Sequence, residues 1–278
     1  MNLSNPNITE FAINLLSVLL LALGIKGLAK VKSSKYANRL AAFAMFLAVI
    51  GLLSRYLLNP TTGISIYSWS WILVGATIGS LLGVITAKRV PMTSMPETVA
   101  LFNGCGGMSS LLVALGEAIF NSNFNSANSS NLFIGIISIS ITIFVGSITF
   151  SGSIVAMAKL QGWLSTPNWT QSKIRHLINI SLAIISLIAL FDLVQNWNIN
   201  SVWLLVLGSL LLGIGVTLPI GGADMPVVIS LLNSYSGIAA ASAGFVVGSQ
   251  LLIVAGAMVG AAGLILTQVM CKGMNRSL

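Results

Sequence analysis

Acidic side chains are nearly absent from this sequence, which holds five Asp and Glu in 278 residues. Lys and Arg add thirteen, so charged residues make up 6% of the chain, against about 25% in a typical soluble domain. Charge this sparse cannot cover the surface of a soluble enzyme of such length. With 56% hydrophobic residues, the composition also excludes a disordered chain. Histidine occurs once, at His176, and cysteine twice, at Cys105 and Cys271. Cys105 lies inside an apolar run and Cys271 opens a basic tail, so the cysteines offer neither metal-ligand spacing nor a disulfide at matching depth. No metal is expected. An aromatic-interleaved basic face is missing too, which argues against nucleic acid as a partner despite a net charge of +8. Met1 to Glu10 has no basic leader, so no cleaved signal peptide is expected.

What the chain does have is long apolar runs. A membrane-crossing helix needs about 20 apolar residues to span roughly 30 Å of hydrocarbon. Nine runs qualify: Ile8–Ala29, Ala37–Leu58, Trp69–Ala87, Thr98–Phe120, Leu132–Ala158, Leu177–Gln195, Val202–Leu218, Met225–Val247 and Leu251–Met270. They predict an all-α polytopic membrane helix bundle of nine transmembrane helices, a single transmembrane domain over residues 1–278 in a lipid bilayer. The gaps alternate in charge. Lys30–Arg39, Lys88–Glu97, Lys159–Arg175, Pro219–Asp224 and the tail Lys272–Leu278, with the adjoining helix ends, hold every base except Arg55. Asn59–Ser68, Asn121–Asn131, Asn196–Ser201 and Gly248–Gln250 hold no charge. Basic loops stay cytoplasmic, so the N-terminus is expected outside and the C-terminus in the cytoplasm. The Asn- and Ser-rich gap Asn121–Asn131 suits an extracytoplasmic loop. No internal repeat is evident.

Small residues recur at helical spacing in the third span (Gly75, Gly79, Gly83), the eighth (Ser230, Ser234, Gly237, Ala241, Gly244) and the last (Gly256, Gly260, Gly263). Such stripes let helix backbones approach closely in lipid and predict packing seams. Ser94–Met95–Pro96–Glu97 fits a capping box, and Asp224–Met225–Pro226 an acidic N-cap followed by proline; the plain reading of Glu97 and Asp224 is capping alone. Gly104, Gly106 and Gly107 lie inside an apolar helix, where a cofactor loop is a poor fit.

Polar side chains at membrane depth each need a partner. At 1.5 Å per residue, Asn103 lies about 8 Å into the fourth span, Asn233 about 12 Å into the eighth and Ser153 about 9 Å into the fifth, all from the basic side. They would form one hydrated cluster if their helices are neighbours. Asn103, Ser110 and Glu117 share a face of the fourth span, read either as a hydrated path or as interhelical hydrogen bonds with Glu117 pairing to Arg55. His176 and Asp192 read as interfacial residues. Architecture and composition alone favour a multi-pass small-molecule transporter or channel, which needs no soluble partner.

Several motifs point elsewhere. Gly221–Gly222–Ala223–Asp224–Met225–Pro226–Val227–Val228, continuing through Leu232–Asn233–Ser234–Tyr235–Ser236–Gly237, closely resembles the beta subunit of proton-translocating NAD(P) transhydrogenase. Met92–Thr93–Ser94–Met95–Pro96–Glu97, Thr149–Phe150–Ser151–Gly152–Ser153, Leu251–Ile253 and the tail Met270–Ser277 resemble it as well. The resemblance implies the membrane part of a redox-linked proton pump of the inner (plasma) membrane. In that reading hydride passes from NADH to NADP+ on partner domains while a proton moves inward through the bundle.

The resemblance also implies roles for particular residues. Asn233 and Ser153 would line the proton path, with Asn103 where many relatives carry a titratable histidine. Asp224 would face the NADP(H) domain from its loop, and Arg276 would be a base just before that domain. Because an amide cannot titrate, the resemblance implies a three-chain enzyme. Its alpha-type subunits would be one soluble NAD(H)-binding chain and one small membrane chain that supplies the histidine. No cofactor is expected on these residues: NAD(H) and NADP(H) would sit on partner domains, the NADP(H)-binding domain following the last span or coming as a separate chain. The complex is expected to be a homodimer.

Overall fold

The computed structural model describes residues 8–28, 32–58, 66–120, 130–167 and 172–275. Among them are nine long helices, two single 3-10 turns and no strand. The helices are α1 (Ile8–Leu28), α2 (Ser34–Leu58), α3 (Ile66–Arg89), α4 (Met95–Phe120), α5 (Ser130–Leu160), α6 (Ile174–Asn196), α7 (Ile199–Thr217), α8 (Met225–Val247) and α9 (Gln250–Gly273). Eight, α2 to α9, are long and apolar enough to cross a membrane. The first, α1, carries a shorter apolar stretch, Phe11–Gly27. Most helices begin about one turn before the apolar run that predicted them, because hydropathy marks the hydrocarbon while backbone hydrogen bonding continues into the interface.

The chain divides into two compact units, residues 2–95 and 96–278. In the first, α1 and α2 pack as a hairpin through small residues: a Cβ added to Gly27 would lie 2.7 Å from that of Ala37. Ser33 closes the turn by donating to the carbonyl of Gly27 at 2.8 Å. The glycine stripe of α3 departs from expectation. Within its own unit a Cβ on Gly75, Gly79 or Gly83 would meet no described atom within 4 Å, so the stripe forms no seam there.

In the second unit α5 is the central helix. A Cβ on Gly107 of α4 would lie 2.9 Å from the backbone nitrogen of Phe150, and one on Gly146 would lie 3.0 Å from the carbonyl of Gly107. Gly152 faces Thr217 of α7 and Leu232 of α8, while Gly213 of α7 faces Ser151 and Ile148. The expected α8–α9 seam is present: Gly237, Gly256 and Gly263 each lie against backbone of the opposite helix. Gly248, with φ +70°, and Ser249, whose hydroxyl caps α9 at Leu252, turn the chain between them; a left-handed residue at this position favours glycine.

Two apolar clusters occupy different levels of this unit. The larger joins Leu111, Ala114, Ile139, Ile143, Leu193, Val202 and Leu205. The smaller joins Ala100, Ala156, Met225 and Ile229, with Met157, Leu160, Ile220 and Val228 packed around it. Asp192 ties the end of α6 to the start of α7, accepting from Asn196 at 2.9 Å and from Ser201.

Candidate functional site

Alpha5 carries seven buried hydroxyls: Ser138, Ser140, Thr142, Ser147, Thr149, Ser151 and Ser153. Five of them donate to carbonyls one turn back in their own helix, which satisfies a hydroxyl without involving a neighbour. Ser153 behaves differently. Its Oγ accepts a 2.9 Å hydrogen bond from the side-chain amide of Asn103 on α4. The glycine beside Asn103 makes this possible, since a Cβ on Gly104 would lie 3.1 Å from that of Ser153. From α8, Ser236 donates to the backbone carbonyl of Asn103 at 3.2 Å.

The three helices that sequence reading required to be neighbours are therefore neighbours, and Asn103 and Ser153 are bonded. Asn233 is half-buried on α8. It lies one turn before Ser236 on the same side of the helix, and no hydrogen bond joins it to Asn103 or Ser153 among the described residues. Along all three helices the polar group falls between the two apolar clusters. Ala100, Ala156, Met225 and Ile229 lie on its basic-rim side, Leu111, Ile143 and Val246 on the other.

The starts of α4 and α8 share one backbone design. Pro91 and Gly221 are extended (φ −68° and −71°, both ψ 155°). A 3-10 turn follows, Met92–Ser94 or Gly222–Asp224, closed by Ser94 donating to Pro91 at 3.0 Å and Asp224 to Gly221 at 3.1 Å. A Met–Pro pair then opens each helix. Aligned on that pair, Met95, Pro96, Leu101, Asn103 and Gly107 match Met225, Pro226, Leu231, Asn233 and Gly237. This short repeat, unseen in the sequence reading, makes Asn103 and Asn233 equivalent positions of two parallel elements. Asp224 occupies the N-cap of α8 as expected, yet its side chain makes no capping hydrogen bond. The turn holds its backbone at φ −93°, ψ −5°, outside the extended region a capping side chain requires.

The other expected residues are more dispersed. Ser110 is buried and bonds within its own helix to Gly106 at 3.2 Å. Glu117 is half-buried, and its proposed partner Arg55 has a side chain outside the described residues. Arg276 also lies outside them. His176 is exposed on the first turn of α6 and accepts from Arg175 at 3.1 Å. Gly104 and Gly107 serve helix packing, as their contacts with α5 show. Among the described residues no three His, Cys, Asp or Glu side chains gather into a metal site, and both cysteines are free.

Sequence reading missed Asn179, Thr267 and the burial of Lys159. Asn179 of α6 donates to the carbonyl of Gly215 at 3.0 Å. Ser230, Ser234 and Thr267 lace the α8–α9 seam, Ser234 donating to Gly260 at 2.8 Å and Thr267 to Ser230 at 3.1 Å. Lys159 is buried at the end of α5 and donates to Thr166 at 2.9 Å, to Ile220 at 2.7 Å and to the carbonyl of Leu218. Each sits opposite a glycine or a helix end, a signal that shows only once the helices are paired.

Fold and site together define a polytopic helical membrane protein with a hydrogen-bonded polar pair at the junction of α4, α5 and α8. The chain belongs to the NAD(P) transhydrogenase beta subunit family, whose model matches residues 10–278. It is 38% identical over 260 residues to the NAD(P) transhydrogenase subunit beta of Rhodospirillum rubrum, covering 93% of this chain and 54% of that one. The subunit beta of Rhodospirillum rubrum strain ATCC 11170 matches to the same extent. The chain thus spans about half the length of the curated relatives it matches.

Proposed function

We propose that this chain is the proton-conducting membrane part of a transhydrogenase. In this reading all nine helices cross the inner (plasma) membrane as one transmembrane domain, with the N-terminus outside and the basic ends of the helices in the cytoplasm. NAD(H) and NADP(H) are held by partner domains, and alpha-type subunits complete a dimeric complex. The observation that carries the reading is the Asn103–Ser153 hydrogen bond, since it joins two helices at the level where the polar side chain of Asn233 also lies.

Chemically, the amide of Asn103 holds the serine oxygen and leaves the serine proton to donate onward. Two amides and a hydroxyl provide the two to four polar partners that an internal water needs. None of these three groups titrates near neutral pH, so they orient water and pass protons, while a histidine on the small membrane chain would bind the proton. The cluster around Met225 closes the pair off from the basic rim, and Asp224 is the residue immediately before that methionine. A nucleotide domain that engages Asp224 and Arg276 would move Met225 and switch access to the pair.

Replacing Asp224 by Asn tests this gate. Coupled turnover in membranes is expected to fall severalfold, while the amount of inserted protein and the thermal midpoint stay close to wild type. The residue makes no capping bond whose loss would unfold α8. Unchanged coupled rates would remove Asp224 from the gate.

A further inference from the structure

Lys159 has no part in the reading above, and its surroundings ask for one. It is the only charged side chain buried among the described residues, 8% exposed within an otherwise apolar helix end. An ammonium has three donors, and all three are used, on Thr166, Leu218 and Ile220. Every acceptor is neutral. Leu218 is the C-cap of α7, where helix carbonyls lack intrahelical partners and the helix dipole is negative.

A terminus at the membrane surface could be capped by water, whereas burying a charge is costly without full compensation. The site therefore does more than cap. The three acceptors come from the segment after α5, the end of α7 and the loop that runs into the 3-10 turn Gly222–Asp224. Ile220 packs with Met157 and Leu160 against the Met225 cluster. Lys159 thus fastens the loop bearing Asp224 to α5, the helix that presents Ser153 to Asn103.

We propose that Lys159 is a positioning residue that locks the 218–224 loop to α5, so that movement of Asp224 at the rim is transmitted to the Met225 closure and the Asn103–Ser153 pair. The role rests on the proton-path reading, but the clamp itself is testable without it. In native membranes, with Cys105 and Cys271 replaced by alanine, an Ile220→Cys variant reports on the loop through its labelling rate with a membrane-impermeant maleimide. Ile220 is half-buried, so labelling should be slow.

Adding Lys159→Met is expected to raise that rate about tenfold, as losing hydrogen bonds to a charged group implies. Lys159→Arg should restore most of the protection. In the same membranes without the reporter, Lys159→Met should lower the protons moved per hydride transferred about fivefold or more, the scale of coupling between sites. An unchanged labelling rate would overturn the clamp. Faster labelling with an unchanged proton-to-hydride ratio would overturn the positioning role and leave a structural cap. Should Lys159→Met fail to insert, Thr166→Val removes a single acceptor and is expected to speed labelling modestly; no change there would also overturn the clamp. Absence of transhydrogenation in wild-type membranes would defeat the functional reading and not the clamp, which the labelling rates decide.

Discussion

Replacing Asn103 by leucine is expected to slow proton-coupled turnover about tenfold or more, equivalent to roughly 1.4 kcal/mol on the barrier. The same change should cost little stability. An interhelical hydrogen bond in a membrane averages about 0.6 kcal/mol in double-mutant cycles, and leucine fills much of the vacated space. These two magnitudes separate the competing roles of the Asn103–Ser153 bond. If it only holds α4 to α5, stability falls slightly and turnover per folded protein is unchanged. If it orients the proton path, turnover falls far more than stability. Ser153→Ala should give the same pattern, and the double variant should be little slower than either single one, because both remove one unit. Additive losses would show that the two residues act separately.

A large loss of stability is expected from Gly256→Ala. Its Cβ would lie 2.7 Å from the carbonyl oxygen of Gly237 and 2.9 Å from the Cα of Ala241. These are backbone atoms, so the helices themselves must separate. Separation would stretch the bonds from Ser234 to Gly260 and from Ser230 to Gly263, now 2.8 and 3.2 Å. Overpacking of this kind costs about 1–3 kcal/mol, and an obstacle of backbone atoms puts Gly256 at the upper end. Thermal unfolding of the protein in detergent should show a fall of several degrees. Gly75→Ala serves as the contrast: its Cβ would meet nothing within 4 Å and alanine is the better helix former, so no loss is expected. Equal effects at the two positions would contradict the packing account.

How far the sequence reveals this molecule depends on which interaction decides each feature. The helices were legible because apolar run length is a one-dimensional signal, and α8 begins and ends at the residues expected, Met225 and Val247. The small-residue stripes of α8 and α9 were legible for the same reason, since close approach in lipid demands small side chains at fixed spacing. Alpha3 shows the limit of that argument. Its glycines have the same spacing, yet spacing does not name a neighbour. Asn103 and Ser153 could be placed at one depth by counting, but only the packing of Gly107 against Phe150 and Gly146 brings their helices together.

Asp224 is the N-cap that composition suggests, but its side chain makes no capping bond because the preceding 3-10 turn sets the dihedral angles. Lys159 was legible only as one more base at a basic rim. Its burial depends on Thr166, Leu218 and Ile220, two of them roughly sixty residues away in the chain.

The account turns on protons moving through the junction of α4, α5 and α8. The most direct measurement is the internal pH of vesicles carrying the assembled complex while NADH reduces NADP+ analogues outside. Wild-type protein should change the internal pH in step with hydride transfer, and Asn103→Leu should sharply reduce that signal with the protein still inserted. Hydride transfer without any pH change, or a full signal in the Asn103→Leu variant, would contradict it.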